Sequence, residues 1–198
     1  MDSVRLRPAR RSDATALAAL VDMAGEGMPV FMWSRMREPG QSVFEVGRAR
    51  AQRESGGFSY RNATIAETDG EVAGGLVDYR LDDPYETGDL DALPEMVRRL
   101  VLLEAKAPGT WYVNVIATFP EFRRRGIGAR LLAAAEERAR ASGADALSII
   151  VASENRAAHR LYQRTGYRFV SGAPAVVFPG CAHGGDWLLL VKRLPAQS

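Results

Sequence analysis

Residues 111–135 constrain this chain more than any other stretch. Trp111-Tyr-Val-Asn-Val-Ile-Ala-Thr118 is an apolar, β-branched run of the kind that fills a central strand. Phe119-Pro-Glu-Phe122 breaks it. Arg123-Arg124-Arg125-Gly126-Ile127-Gly128 follows, and then Ala129-Arg-Leu-Leu-Ala-Ala-Ala135, with Ile127, Leu131 and Ala135 at helical spacing. A strand, a basic glycine loop and a helix N-terminus in that order present several backbone N–H groups to an anion. Glycine at 126 and 128 removes Cβ atoms that would hold a phosphate off the main chain. Arg123, Arg124 and Arg125 add forked donors that suit phosphate oxygens. The first functional expectation is a phosphorylated ligand.

Two common phosphate motifs fail on spacing. A P-loop needs Gly-Lys followed by Ser or Thr, and here Gly128 precedes Ala129 and Arg130. A dinucleotide fingerprint needs a third glycine where Leu131 stands. What remains is Arg-x-x-Gly-x-Gly a few residues beyond a strand.

The rest of the chain supplies strands and helices around it. Val4, Leu6 and Pro8 open with a short alternating strand. Ser12-Asp13 is placed to cap a helix with Leu17, Leu20, Val21 and Ala24 on one face. Residues 25–40 read as an irregular segment, either a loop over the core or a wall of a substrate pocket. Ser42 with Glu45 forms a capping-box pattern for a helix to about Glu54. Asp69-Gly70 between residues 63–68 and 71–79 is the preferred pair for a two-residue hairpin turn. Residues 81–91 carry Asp82, Asp83, Glu86, Asp89 and Asp91, a solvated loop or a negative rim for a cationic amine. Pro94 starts a helix through Val97, Leu100, Val101 and Glu104. Later come a strand at 146–151, a helix capped by Asn155 and ended by Gly166, and strands at 167–170, 175–178 and 186–191. Strands interleaved with helices make the fold α/β (α+β), in one domain.

Val113 to Leu132 resembles the coenzyme A motif of the GCN5-related N-acetyltransferase (GNAT) superfamily. Ile150-Val-Ala-Ser-Glu-Asn155-Arg-Ala-Ala-His-Arg-Leu-Tyr162-Gln-Arg-Thr-Gly-Tyr-Arg-Phe169 is similar to that family's next segment, at the usual distance. The resemblance spans residues 3–193 as a single N-acetyltransferase domain. It implies a central mixed, mostly antiparallel sheet of six to seven strands flanked by helices. It implies acetyl-coenzyme A as co-substrate and direct transfer of the acetyl group to a primary amine in a ternary complex.

The resemblance also implies roles for particular residues. The backbone of Ile116, Ala117 and Thr118 would pair with the pantetheine arm, and one of those N–H groups would polarise the thioester carbonyl. Backbone N–H groups of Arg124, Arg125, Gly126, Ile127, Gly128 and Ala129, with Arg123 alongside, would hold the pyrophosphate. Asn155 would bond the pantetheine amide region. Tyr162 would protonate the departing thiolate, a role open to a hydroxyl of pKa ~10.

Some members of the family carry a glutamate on the fourth strand as general base for the amine, and here Tyr112 or Asn114 stands in that region. Glu104 from the preceding helix, a water relay or an already neutral amine could replace it; Glu104 could equally make an ion pair or recognise the amine. The missing base leaves open a catalytically inactive acyl-coenzyme A sensor or partner protein of the same fold. His159 reads as exposed, and a Cys181–His183 acyl-carrying pair conflicts with direct transfer.

Composition excludes other classes. A net charge of +2 gives no general support for nucleic-acid binding. A single cysteine and two histidines leave neither an internal disulfide nor a metal site. No apolar run approaches the ~20 residues of a membrane span, and the first residues lack a signal-peptide core, so the chain reads as cytoplasmic. The acceptor reads as a small-molecule or peptide amine. The late strands and residues 28–33 are the features that could support a homodimer.

Overall fold

The structure, a computed structural model, describes residues 4–195; Ser3, the first residue of the expected domain, lies outside the described residues. In chain order the elements are β1 (Arg5–Pro8), α1 (Ala14–Ala24), α2 (Met28–Ser34), α3 (Val43–Ala51), β2 (Ala63–Thr68), β3 (Glu71–Arg80), α4 (Glu95–Glu104), β4 (Trp111–Thr118), α5 (Ile127–Ala141), β5 (Ala146–Ala152), α6 (Arg156–Arg164), β6 (Arg168–Pro174) and β7 (Asp186–Arg193). The strands form a mixed sheet in the order β1-β2-β3-β4-β5-β7-β6. β1–β2, β2–β3, β5–β7 and β6–β7 pair antiparallel, and β4–β5 pair parallel. This is the expected α/β architecture, with seven strands. No single helix among the described residues is long and apolar enough to cross a membrane.

By contacts the chain forms two compact units. The first comprises Met1–Asp78, Asn114–Ala133 and Phe178–Ala182; the second comprises Tyr79–Val113, Ala134–Val177 and His183–Ser198.

In the first unit, Leu17, Ala18 and Val21 of α1, Trp33 of α2 and Val46 of α3 bury with Ile65, Val77 and Val115 of the strands. The β2–β3 turn has Asp69 at φ +52° and Gly70 at φ +82°, the left-handed pair that matches strand twist in a two-residue hairpin. Ser42 Oγ accepts from Glu45 N–H, and Glu45 Oε2 accepts from Ser42 N–H, so the capping box forms, although α3 stops at Ala51 and not Glu54. Asp13 does not cap α1. Its carboxylate takes both Arg7 nitrogens at 2.7 and 2.9 Å and Arg10 N–H at 2.6 Å, which holds it below the usual carboxylate range.

Residues 25–40 are not wholly irregular, because α2 occupies their centre. Gly27 enters it at φ +88°, Pro29 sits in its first turn, and Asp22 Oδ1 of α1 accepts from Val30 N–H at 3.0 Å. The cap is a carboxylate eight positions earlier, outside any local pattern.

In the second unit β5 is buried almost throughout and pairs with β7 from Ala146 to Ala152. Thr110 Oγ1 and Ser148 Oγ, both buried, share a hydrogen bond of 2.7 Å. Pro94 precedes the first turn of α4, as expected, and Met96 and Leu103 are its buried residues. Residues 175–178, expected as a strand, are not one: Ala175 N–H donates to Gly185 O and no ladder follows.

Candidate active site

The basic loop belongs to the first unit. A 3₁₀ turn at Pro120–Phe122 leads into Arg124 at φ +64° and Gly126 at φ +77°. A Cβ on Gly126 would meet nothing within 4 Å. The left-handed backbone at this position is one that glycine adopts without strain. The first helical bond of α5 runs from Arg130 N–H to Gly126 O at 3.1 Å. The N–H groups of Ile127, Gly128 and Ala129 thus precede the ladder at the positive end of a fifteen-residue helix.

The three arginines are not equivalent. Arg123 Nε donates to Thr118 O at 3.2 Å, tying the loop to the end of β4. The Arg125 guanidinium lies 5.4 Å from the Phe122 ring centre and donates to Glu121 O at 3.4 Å. Arg124 is exposed.

Residues 116–118 are held from the β3 side. A Cβ at Gly74 would come within 2.6 Å of Ala117 O, and Phe119 N–H donates to Ala73 O at 2.9 Å. The parallel register of β4 with β5 covers Trp111–Val113. The backbone N–H and C=O groups of a strand are what an extended amide-bearing ligand can pair with. The helix N-terminus, basic loop and strand of this unit fit the diphosphate and pantetheine chemistry of coenzyme A.

Asn155 and Tyr162 belong to the second unit. Asn155 Oδ1 accepts from Ala158 N–H at 3.2 Å, the N-cap of α6. At the other end Gly166, at φ +96°, donates to Gln163 O, and Tyr167 N–H donates to Tyr162 O at 3.0 Å. These two bonds and the left-handed glycine make a Schellman closure with Tyr162 as its third-from-last helical residue. The Tyr162 and Tyr167 rings meet at 5.8 Å, and Tyr162 is 5% exposed. His159, expected to be exposed, is half-buried, and its Nε2 has no hydrogen-bond partner.

Glu104 ends α4 in the same unit and makes no ion pair among the described residues. Its partners are tyrosines. Tyr85 Oη donates to Glu104 Oε2 at 2.5 Å, and the Tyr112 hydroxyl donates to the same carboxylate. The Tyr79 ring stands edge-on to Tyr112 at 5.8 Å. Burial pushes the Glu104 carboxyl above its usual range, against the pull of the two hydroxyl donors. The position also places a carboxylate at the negative end of its helix. Burial and the nearby carboxylate raise Tyr79, Tyr85 and Tyr112 as well, so all three stay protonated as donors. Lys106 points to Ser171 Oγ. Sequence reasoning named Glu104 and the Tyr112 position but missed their contact, and it missed Tyr79 and Tyr85. The available signal was the Pro108-Gly109 turn, which folds the end of α4 back beside the start of β4.

Among the described residues no group of His, Cys, Asp and Glu could hold a metal ion. The sequence profile of the acetyltransferase (GNAT) family matches residues 29–167. This chain belongs to the GNAT acetyltransferase family. It is an N-acetyltransferase, with acetyl-coenzyme A as the family's donor. Solved structures of similar fold include an N-acetyltransferase from Staphylococcus aureus Mu50, 22% identical with a TM-score of 0.63, covering 94% of this chain and 99% of its own. A polyamine N-acetyltransferase from Drosophila melanogaster, which forms N-acetylagmatine, is 15% identical with a TM-score of 0.68, covering 97% and 100%. YncA from Salmonella typhimurium, solved with acetyl-coenzyme A, is 17% identical with a TM-score of 0.61, covering 100% and 97%. At these identities the likeness is one of fold. No curated protein matches the chain in sequence.

Proposed function

We propose that the chain transfers the acetyl group of acetyl-coenzyme A directly to a primary alkyl amine, with Glu104 as proton acceptor and Tyr162 as proton donor. The observation that carries this reading is the half-buried Glu104 carboxylate at the end of α4, to which the Tyr85 hydroxyl donates at 2.5 Å. Glu104 stands among Tyr79, Tyr85 and Tyr112 near the start of β4, the strand on which some members of the family carry a glutamate base, and no ion pair among the described residues neutralises it. A carboxyl raised by burial is also better matched to taking a proton near neutral pH than an ordinary one.

In this reading the α5 N-terminus and the basic loop bind the diphosphate, and β4 at Ile116, Ala117 and Thr118 binds pantetheine. Asn155 contributes a contact to pantetheine through its Nδ2 donor. An ammonium acceptor gives one proton to Glu104, and the freed lone pair attacks the thioester carbon. A β4 N–H stabilises the oxyanion. The C–S bond breaks with its electron pair on sulfur, which takes the Tyr162 hydroxyl proton. The tyrosinate recovers the surplus proton from nitrogen, and Glu104 releases its proton to solvent.

The fold relative that acetylates agmatine supports an alkyl amine as the acceptor class. The exposed carboxylates of residues 81–91 favour a cation as well. An inactive sensor is the weaker reading, because Glu104 of α4 offers a carboxylate in place of the one missing from β4. Turnover of acetyl-coenzyme A across agmatine, spermidine, simple alkylamines and a lysine-bearing peptide tests the proposal. Acetylation of at least one amine, with a loss of about 10²–10⁴-fold in Glu104→Gln, is expected. Full activity in that variant would remove Glu104 from the mechanism.

A further inference from the structure

Glu104 receives its two hydroxyl donors from elements of different kinds. Tyr112 is 4% exposed and lies in the sheet, in register with Ser148 of β5. It is a fixed donor. Tyr85 comes from the connection between β3 and α4, where Asp82, Asp83, Pro84 and Glu86 around it are exposed. Tyr85 itself is half-buried, turned inward from an acidic surface loop to reach Glu104 Oε2.

A carboxylate held by one donor keeps a swing about its terminal bond, and a second donor from another direction removes it. At 2.5 Å the Tyr85 contact falls in the short range of hydroxyl–carboxylate bonds, about twice as strong as neutral ones. We propose that Tyr85 is a positioning residue for acetyl transfer: its hydroxyl fixes the Glu104 carboxylate in the orientation from which it accepts the acceptor's proton. This rests on Glu104 being that proton acceptor.

The proton balance is simple. Tyr85 stays protonated throughout. It donates to ionised Glu104 before the acceptor arrives; Glu104 then takes one N–H proton, and the nitrogen keeps the electron pair that forms the new C–N bond. The groups facing Glu104 are Tyr79 of β3, Tyr112 of β4 and Tyr85 of the connection, with Asp82 beside Tyr85. All but Asp82 are tyrosines, which stay protonated near neutral pH. A donor to the ionised form favours that form, so losing the Tyr85 hydroxyl must make Glu104 hold its proton to higher pH.

Tyr85→Phe removes the hydroxyl and keeps the ring. Two measurements read it. The first follows the carboxyl band of Glu104 by infrared titration, identified by its absence in Glu104→Gln, and needs no acceptor. The second is kcat/KM against pH with acetyl-coenzyme A and the amine panel above. In Tyr85→Phe the band should ionise at higher pH, the acid limb of kcat/KM should move the same way, and the rate at neutral pH should fall about tenfold. Part of that loss should return above the shifted limb, which damage to the fold would not allow. A band and limb that superimpose on those of the parent protein, or a rate loss with an unmoved limb, overturn the role of Tyr85 while leaving Glu104 in place. A band that moves without the rate following overturns it too. An unaltered rate in Glu104→Gln removes Glu104 from the mechanism, and the Tyr85 proposal falls with it.

Discussion

Tyr167 N–H donates to the carbonyl of Tyr162 at 3.0 Å, and the rings of the two residues meet at 5.8 Å. The residue proposed to protonate the thiolate is therefore fixed at both backbone and ring by the turn that ends its helix.

That turn depends on Gly166 at φ +96°, where a Cβ would find only ordinary contacts with the Lys192 side chain. The demand is conformational. Gly166→Ala should cost about 1–2 kcal/mol of stability in denaturant unfolding. It should lower kcat more than it raises the KM for acetyl-coenzyme A, because the helix end carrying Tyr162 shifts and the diphosphate loop does not.

Arg124 and Gly126 share a left-handed backbone but have opposite chemistry. Arg124→Gly relieves an arginine held at φ +64° and should leave thermal stability unchanged or higher. Acetyl-coenzyme A affinity by calorimetry should still fall about tenfold or more, from loss of one charged donor. Gly126→Ala, at φ +77°, should lower stability and affinity together.

Glu104 makes a prediction about stability as well as catalysis. Its folded carboxyl is raised above the unfolded value, so the folded state holds the proton more tightly. As pH rises from the ordinary carboxylate range through the raised value, the unfolded state loses its proton first, and the fold loses stability. Below the ordinary range both states are protonated and the effect vanishes. Glu104→Gln, uncharged throughout, should therefore unfold at a higher temperature than the parent protein near neutral pH. The gap should close in acid.

What was legible in the sequence was local. Asp69-Gly70, the Ser42/Glu45 box and the Asn155 cap each act through neighbours within a few residues, and each took the expected form. The α2 helix was hidden because its cap, Asp22, lies in another helix. Asp13 stood in a capping position, but Arg7 held its carboxylate instead. The arginine run read as forked donors for phosphate, and in the fold Arg123 and Arg125 also brace their own loop. Glu104 was visible as a carboxylate near the missing base, but its donors stand 19 residues before it and on the next strand. Only folding brings those hydroxyls to it.

The central claim is direct transfer completed by a proton from Tyr162. Single-turnover acetylation of the amine substrate by Tyr162→Phe, at saturating acetyl-coenzyme A, tests it most directly. The account predicts a rate about 10²–10⁴-fold below that of the parent protein, with the dissociation constant for acetyl-coenzyme A within about twofold. An unchanged transfer rate would contradict it.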